Sequence, residues 1–330
     1  MDKKIVIQIP TWLGDAVMAT PAIENIIGHF GDDYKYIILG SNVSVKIFEF
    51  HPKISQIIVD DTKKGGFRYL NIYNLAKSFG RVDTFFSFRR SFSARILQFF
   101  VNTKRKYGYK RLTSEQIHLV LRYNDFVNHS LKTNYKAGDL KIYTKSSPIK
   151  IGVPKSGTPD LSGLKNSSLS PKLLGLNPGA TYGSAKRWYP KEFALTAKEL
   201  SKDYDILIFG GPTEVEQAGE IEKYLQEFGV TNYTNLAGKT TVTELIEYIK
   251  NLDLFITNDS GPMHLAAAFK IKTVAIFGPT KHIETHQWNN PNEIIIRKEI
   301  ECAPCMKRVC PLSHHNCMKQ IKSSDVLERL

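Results

Sequence analysis

The chain has 330 residues, 42% of them hydrophobic and 23% charged, and its 45 Lys and Arg against 32 Asp and Glu give a formal net charge of +13. That length exceeds one ordinary core and fits two domains of about 150 residues each, while no stretch reaches the roughly 18 uninterrupted apolar residues of a membrane span. The composition excludes a disordered or fibrous chain, and the positive balance favours an anionic partner: nucleic acid, a phosphorylated metabolite or an anionic membrane surface.

Ile5-Val6-Ile7-Gln8-Ile9 reads as a buried strand. It is strand-length and ends at Pro10, too short for the apolar region of a signal peptide, so the expected location is cytoplasmic. Pro10-Thr11-Trp12-Leu13-Gly14-Asp15 then makes a tight turn, and Ala16 to Ile23 reads as a helix, the opening of an α/β domain. Ligands of open α/β sheets bind outside the carboxyl ends of the strands. Asp15 therefore has two readings: a carboxylate where chemistry occurs, or the N-cap of the following helix.

Short buried strands are predicted at Tyr36–Gly40, Ile57–Val59 and Thr84–Phe88, with helices after Pro21 and over Tyr69–Phe79. Such alternation implies a mainly parallel sheet with helices on both faces. Arg89, Arg90, Arg95 and the cations from Lys104 to Arg111 lie among Phe92, Phe99, Phe100, Tyr107 and Tyr109. They read either as a solvated basic face or as a surface for an anion. Gly152 to Lys172, rich in Gly, Pro and Ser, reads as a linker.

The alternation then restarts, with strands predicted at Leu173–Asn177, Ile206–Gly210, Leu254–Thr257 and Thr273–Gly278. Two Rossmann-like halves are expected, with a cleft between them for ligands. After the first of these strands, Asn177-Pro178-Gly179-Ala180 runs on to Ala185-Lys186-Arg187-Trp188. Such a loop offers backbone N–H groups to a phosphate and Lys186 and Arg187 to its charge, or is a solvent loop with two surface cations. Asn258-Asp259-Ser260-Gly261-Pro262-Met263-His264 repeats the pattern: a strand end, a small-residue turn and a helix N-terminus suited to an anion. His264 sits one turn into that helix, as a structural or a catalytic residue. Neither G-x-G-x-x-G after the first strand nor G-x-x-x-x-G-K-[ST] occurs, which weighs against a standard dehydrogenase or a P-loop kinase.

All four cysteines fall in one tail, Cys302-x2-Cys305-x4-Cys310-x6-Cys317, with His314 and His315 inside it. In a cytoplasmic chain a disulfide framework is not the default. Structural zinc or free thiols are the alternatives, and the uneven gaps are not a strong ribbon pattern. No metal is assigned.

Taken together, Pro10–Asp15, Asn177–Ala180 with Ala185–Trp188, Asn258–His264 and Phe277-Gly278-Pro279-Thr280 resemble the motifs of glycosyltransferase family 9, the ADP-heptose:lipopolysaccharide heptosyltransferases. The resemblance covers nearly the whole chain. It implies a GT-B fold, two Rossmann-like α/β domains facing each other across a cleft, with acceptor binding at 1–160 and ADP-heptose binding at 161–330. The last helix is expected to pack back on the first domain, as the fold often has it.

The implied reaction is inverting transfer of heptose from ADP-heptose to a sugar hydroxyl. Asp15 matches the family's catalytic base. Lys186 matches the cation that meets the donor phosphates, with Thr181 and Tyr182 beside it. Asp259, Ser260, Gly261 and His264 match the donor-binding turn, and Glu214, Thr240 and Thr241 align more loosely with nucleoside contacts. Thr11, Trp12, Gly14, Arg89 and Arg90 are the expected acceptor contacts. No cofactor or metal is required.

The implied partners are the nucleotide-sugar donor and an anionic lipid-linked saccharide acceptor at the inner face of the cytoplasmic membrane, with no nucleic acid. The Trp-Leu-Gly-Asp opening, the Ala-Lys-Arg-Trp loop and the cysteine tail favour the branch that adds the second heptose of the inner core. The alternatives are a relative with a different acceptor and, from another class, a basic nucleic-acid-binding protein with a zinc-stabilised tail.

Overall fold

A computed structural model describes residues 3–145 and 172–330, so the expected linker, Lys172 apart, lies outside the described residues. The chain divides into two compact units, Met1–Thr144 and Lys145–Leu330. The expected 160/161 boundary also falls outside the described residues.

The first unit runs β1 (Lys3–Gln8), α1 (Leu13–Met18), α2 (Thr20–Phe30), β2 (Tyr34–Gly40), β3 (Ile54–Val59), α3 (Arg68–Ser78), β4 (Thr84–Ser87), α4 (Phe92–Phe100), β5 (Arg105–Gly108) and α5 (Leu119–Leu131). Its sheet has the order β3-β2-β1-β4-β5, parallel throughout. The order runs outward both ways from β1, so the switch point lies between β1 and β4, where such sheets bind ligands. Asp15 follows β1 and Arg89 follows β4.

The helix expected after Pro10 is broken in two. Pro21 has no N–H to give the Val17 carbonyl, which lies four residues earlier. The Thr20 hydroxyl donates to that carbonyl instead, at 2.7 Å, and Ala19 separates α1 from α2. Gly31, at φ 72, then stops α2.

The second unit runs β6 (Lys172–Asn177), α6 (Pro190–Leu200), β7 (Tyr204–Ile208), α7 (Val215–Glu227), β8 (Tyr233–Asn235), α8 (Val242–Lys250), β9 (Leu254–Asn258), α9 (Gly261–Ala268), β10 (Lys272–Ile276), α10 (His282–Thr285), β11 (Glu293–Ile296), α11 (Asn316–Lys319) and α12 (Ser323–Leu327). The sheet order is β11-β10-β9-β6-β7-β8, again parallel. Its switch point falls between β6 and β9, the strands that precede Lys186 and Asp259. All of β9 and most of β6 are buried, as a sheet covered on both faces requires.

The closing segment belongs to the second unit. α12 packs within the second unit, against α6, and Ile321 and Val326 join that unit's core. Trp188 explains the attachment: fully buried, it donates Nε1–H to the Ile321 carbonyl at 2.9 Å.

Candidate functional site

In the first unit Trp12 caps α1 through its backbone, and Asp15 lies in the helix's first turn. Asp15 is therefore not the N-cap. It sits where a helix N-terminus favours negative charge. Its surroundings come from other elements: burial, and after it the Asp15 charge, hold the Tyr123 phenol well above its ordinary value. Tyr109 is raised by burial too, against the opposing pull of Arg122, Arg90 and Arg111. A half-buried carboxylate thus stands within electrostatic reach of two phenols, one of which, Tyr109, also feels three guanidiniums. The electrostatics suit a proton acceptor beside an anionic ligand.

Arg89 turns inward. Its Nη1 meets Asp60 at 2.6 Å and its Nε donates to the Ile9 carbonyl at 2.8 Å, which ties the ends of β1, β3 and β4 together. Burial pulls this guanidinium below its ordinary value while Asp60 pulls it back. Its Nη2 is buried without a hydrogen-bond partner among the described residues. Arg90 is exposed, as are Thr11 and Trp12, whereas Gly14 is buried in α1. The Thr11 carbonyl accepts from Ser41 at 2.8 Å.

In the second unit the two motif loops meet at one ion pair. Lys186 Nζ lies 2.6 Å from Asp259 Oδ2, and Thr280 Oγ1 donates to the same oxygen at 2.6 Å. Both charged side chains are largely buried, at 12% and 5% exposure. An ammonium has three donors, so Asp259 does not exhaust it. The Lys186 ammonium also lies 5.1 Å from the centre of the Tyr182 ring, and Arg308 stands 5.2 Å from that ring. Thr181 is exposed beside them.

Beneath this pair the loops are cross-linked. Asn177 Nδ2 donates to Thr257 at 3.2 Å and to Ser260 at 3.1 Å, and Asn258 joins the Pro178 carbonyl to the Trp188 N–H. Glu214 is buried and accepts from the Gly211 N–H at 2.8 Å. It fills the space over Gly179 so closely that a Cβ there would collide with its carboxylate. Glu214 therefore reaches the Lys186 loop, as a brace. Thr241 Oγ1 is occupied in capping α8 with Glu244, and Thr240 is half-buried before it. Gly261 opens α9, and His264 is buried one turn in, at 3% exposure.

The cysteine tail supports the same loops. Tyr182 donates to the Met306 carbonyl at 2.8 Å, the Ala185 N–H to Arg308 at 3.0 Å, and His315 Nε2–H to the Ala185 carbonyl at 2.9 Å. Cys302, Cys305, Cys310 and Cys317 line one hollow with His314 and His315. The thiols are free, and burial with the neighbouring thiols pushes Cys317 up to about 11. Among the described residues no three of these side chains stand as a ready metal-binding group.

Asp60, Arg122 and the bracing role of the tail escaped sequence reasoning, and Thr280 reads there only as part of a motif, without a role of its own. Asp60 and Thr280 each lie just past a strand's carboxyl end, the positional signal that singled out Asp15 and Lys186. Arg122 lies inside α5 and carries no such signal.

The profile of glycosyltransferase family 9 (heptosyltransferase) matches residues 72–316. The chain is 43% identical over 327 residues to lipooligosaccharide heptosyltransferase 2 of Campylobacter jejuni subsp. jejuni serotype O:2, covering 99% of this chain and 97% of that one. Among solved structures, Escherichia coli ADP-heptose lipopolysaccharide heptosyltransferase II superposes with a TM-score of 0.77 at 20% identity, covering 99% and 97% of the two chains. A glycosyltransferase family 9 protein of Veillonella parvula superposes with a TM-score of 0.82 at 19% identity, covering 99% and 96%. These two likenesses concern the fold, which is the expected GT-B type.

Proposed function

The chain belongs to glycosyltransferase family 9, the heptosyltransferases, and we propose that it is a heptosyltransferase II, moving heptose from ADP-heptose to the first heptose of the lipopolysaccharide inner core. One observation carries this reading: the 43% identity to the Campylobacter enzyme runs through both units with almost no residue left out.

The acceptor hydroxyl meets Asp15, which takes its proton as the oxygen attacks the anomeric carbon from the face opposite the diphosphate. The bond from that carbon to the ADP oxygen breaks, and the configuration inverts. General-base help of this kind is worth roughly 10²–10⁴-fold. Lys186 meets the charge that grows on the departing diphosphate, supported by the N-terminus of α9. Asp259 and Thr280 hold the ammonium in place, and Glu214 and the tail hold the loop that carries it. Thr181, Tyr182, Ser260, Gly261, His264, Thr240 and Thr241 complete the donor side. Thr11, Trp12, Gly14, Arg89 and Arg90 complete the acceptor side, with Arg89 acting as the tie that positions the strand ends. The acceptor is lipid-linked, and the enzyme works at the inner face of the cytoplasmic membrane. No helix among the described residues is long and apolar enough to cross a membrane.

Calorimetry with ADP-heptose tests the donor half. The wild type is expected to bind ADP-heptose and not a short oligonucleotide. Oligonucleotide binding without ADP-heptose binding would favour the rival reading as a nucleic-acid-binding protein.

A further inference from the structure

Residues 62–114 hold thirteen Lys and Arg and a single carboxylate, Asp83, so this segment accounts for +12 of the chain's net +13. The same segment carries the largest aromatic exposure of the first unit. Phe67, Phe92 and Phe99 are 68%, 67% and 76% exposed, although Phe is among the residues most often found inside.

These side chains form two touching groups on the same pair of helices. Phe67 touches Tyr69 with ring centres 5.5 Å apart, and Tyr69 reaches Phe92 on α4 at 6.5 Å. Further along, Tyr73 meets Phe100 at 5.2 Å, and Phe100 meets Phe99 at 5.2 Å. The opposite sides of α3 and α4 do pack: Ile72, Ala76 and Leu97 belong to a core cluster with Phe79 and Phe85. The exposed aromatic face is therefore a second face of helices already anchored. Cations border it directly. Lys77 lies 5.4 Å from the centre of the Tyr73 ring, Arg68 binds Ser93 across the two helices, and Lys106 reaches the Phe99 carbonyl.

We propose that the outer face of α3 and α4 docks the enzyme on an anionic phospholipid bilayer. The proposal rests on the lipid-linked acceptor of the preceding section for its purpose and on this face for its argument. Aromatic rings are the side chains that sit at the boundary of headgroups and acyl chains. Each lysine or arginine near an anionic leaflet strengthens binding by roughly five-fold. Phe67, Phe92 and Phe99 enter the boundary while Lys77, Arg95 and Lys104 meet the phosphates. A second copy of the chain is a poor occupant, because two faces of the same strong positive charge repel.

Flotation with vesicles of phosphatidylcholine mixed with an equal share of phosphatidylglycerol tests this, against phosphatidylcholine alone. The wild type is expected to float with the anionic vesicles only, and less so as salt rises. The triple variant Phe67→Ser, Phe92→Ser, Phe99→Ser loses at least ~10-fold in vesicle affinity, and Lys77→Ser, Arg95→Ser, Lys104→Ser loses ~100-fold. Both keep the unfolding midpoint and the ADP-heptose affinity of the wild type, so failure of docking is read apart from failure of the donor site. Wild type that ignores anionic vesicles overturns the proposal, as do variants that float unchanged. Conversion of a wild-type dimer to monomer by the aromatic variant also overturns it, in favour of self-association. So does binding of an oligonucleotide instead of vesicles, lost in the charge variant.

Discussion

Lys186 and Asp259 lie where removing one partner and removing the pair have different consequences. Lys186→Met leaves a carboxylate of 5% exposure with Thr280 as its remaining side-chain partner among the described residues, and breaking a buried pair in this way costs about 3–5 kcal/mol. Lys186→Met combined with Asp259→Asn removes both charges, and the unfolding midpoint is expected to return most of the way. Transfer is expected not to return, because the ammonium proposed to meet the diphosphate is gone. If the double variant transfers heptose at the wild-type rate, Lys186 has no part in the chemistry. Cys317 gives a second residue-level expectation. Its thiol is raised from 9.0 to about 11, chiefly by burial. A raised value favours the protonated thiol of the folded chain, so this contribution to stability is whole below pH 9 and is lost as pH climbs to about 11. The gap between the unfolding midpoints of wild type and Cys317→Ala should narrow across that window. Iodoacetamide at neutral pH should label Cys317 last of the four cysteines.

Among the elements, the break between α1 and α2 is held by one hydroxyl. Thr20 Oγ1 donates to the Val17 carbonyl and accepts the Lys141 N–H at 3.0 Å, while wholly buried. Thr20→Val keeps the shape and takes the partner from the Lys141 N–H, at about 1–3 kcal/mol, while the Val17 carbonyl keeps the backbone N–H it accepts at the end of α1. A clear fall in the unfolding midpoint is expected, and an unchanged midpoint would show that the backbone relaxes around the loss. Period and punctuation made most of this architecture legible: the apolar runs before Pro10, Asn177 and Asn258 became β1, β6 and β9. β5 was hidden because Arg105-Lys106-Tyr107-Gly108 is polar and half-exposed at a sheet edge. The split helix was hidden too, because a proline at a helix start and one that breaks a helix look alike in sequence. Lys186 and Asp259 were readable as loop residues after strands. Their pairing, and the tail beneath them, depend on contacts between segments far apart in the chain, and no local pattern encodes those.

Across the molecule, two parallel sheets present their switch points with the same kinds of residue just beyond the strand ends. One carries a carboxylate among phenols and guanidiniums, the other an ammonium held by a carboxylate. The positive charge is concentrated in one of the two units: its segment 62–114 alone holds +12. Under the proposed function that unit takes the anionic lipid-linked acceptor and the other takes ADP-heptose, with Asp15 as the base. The most direct measurement is transfer from ADP-heptose to a purified inner-core acceptor bearing one heptose, comparing wild type with Asp15→Ala. Product from the wild type, a loss of at least about 10²-fold in the variant and equal ADP-heptose affinity in both would be the predicted result. A wild type that binds ADP-heptose without forming product, or an Asp15→Ala enzyme that transfers at the wild-type rate, would contradict it.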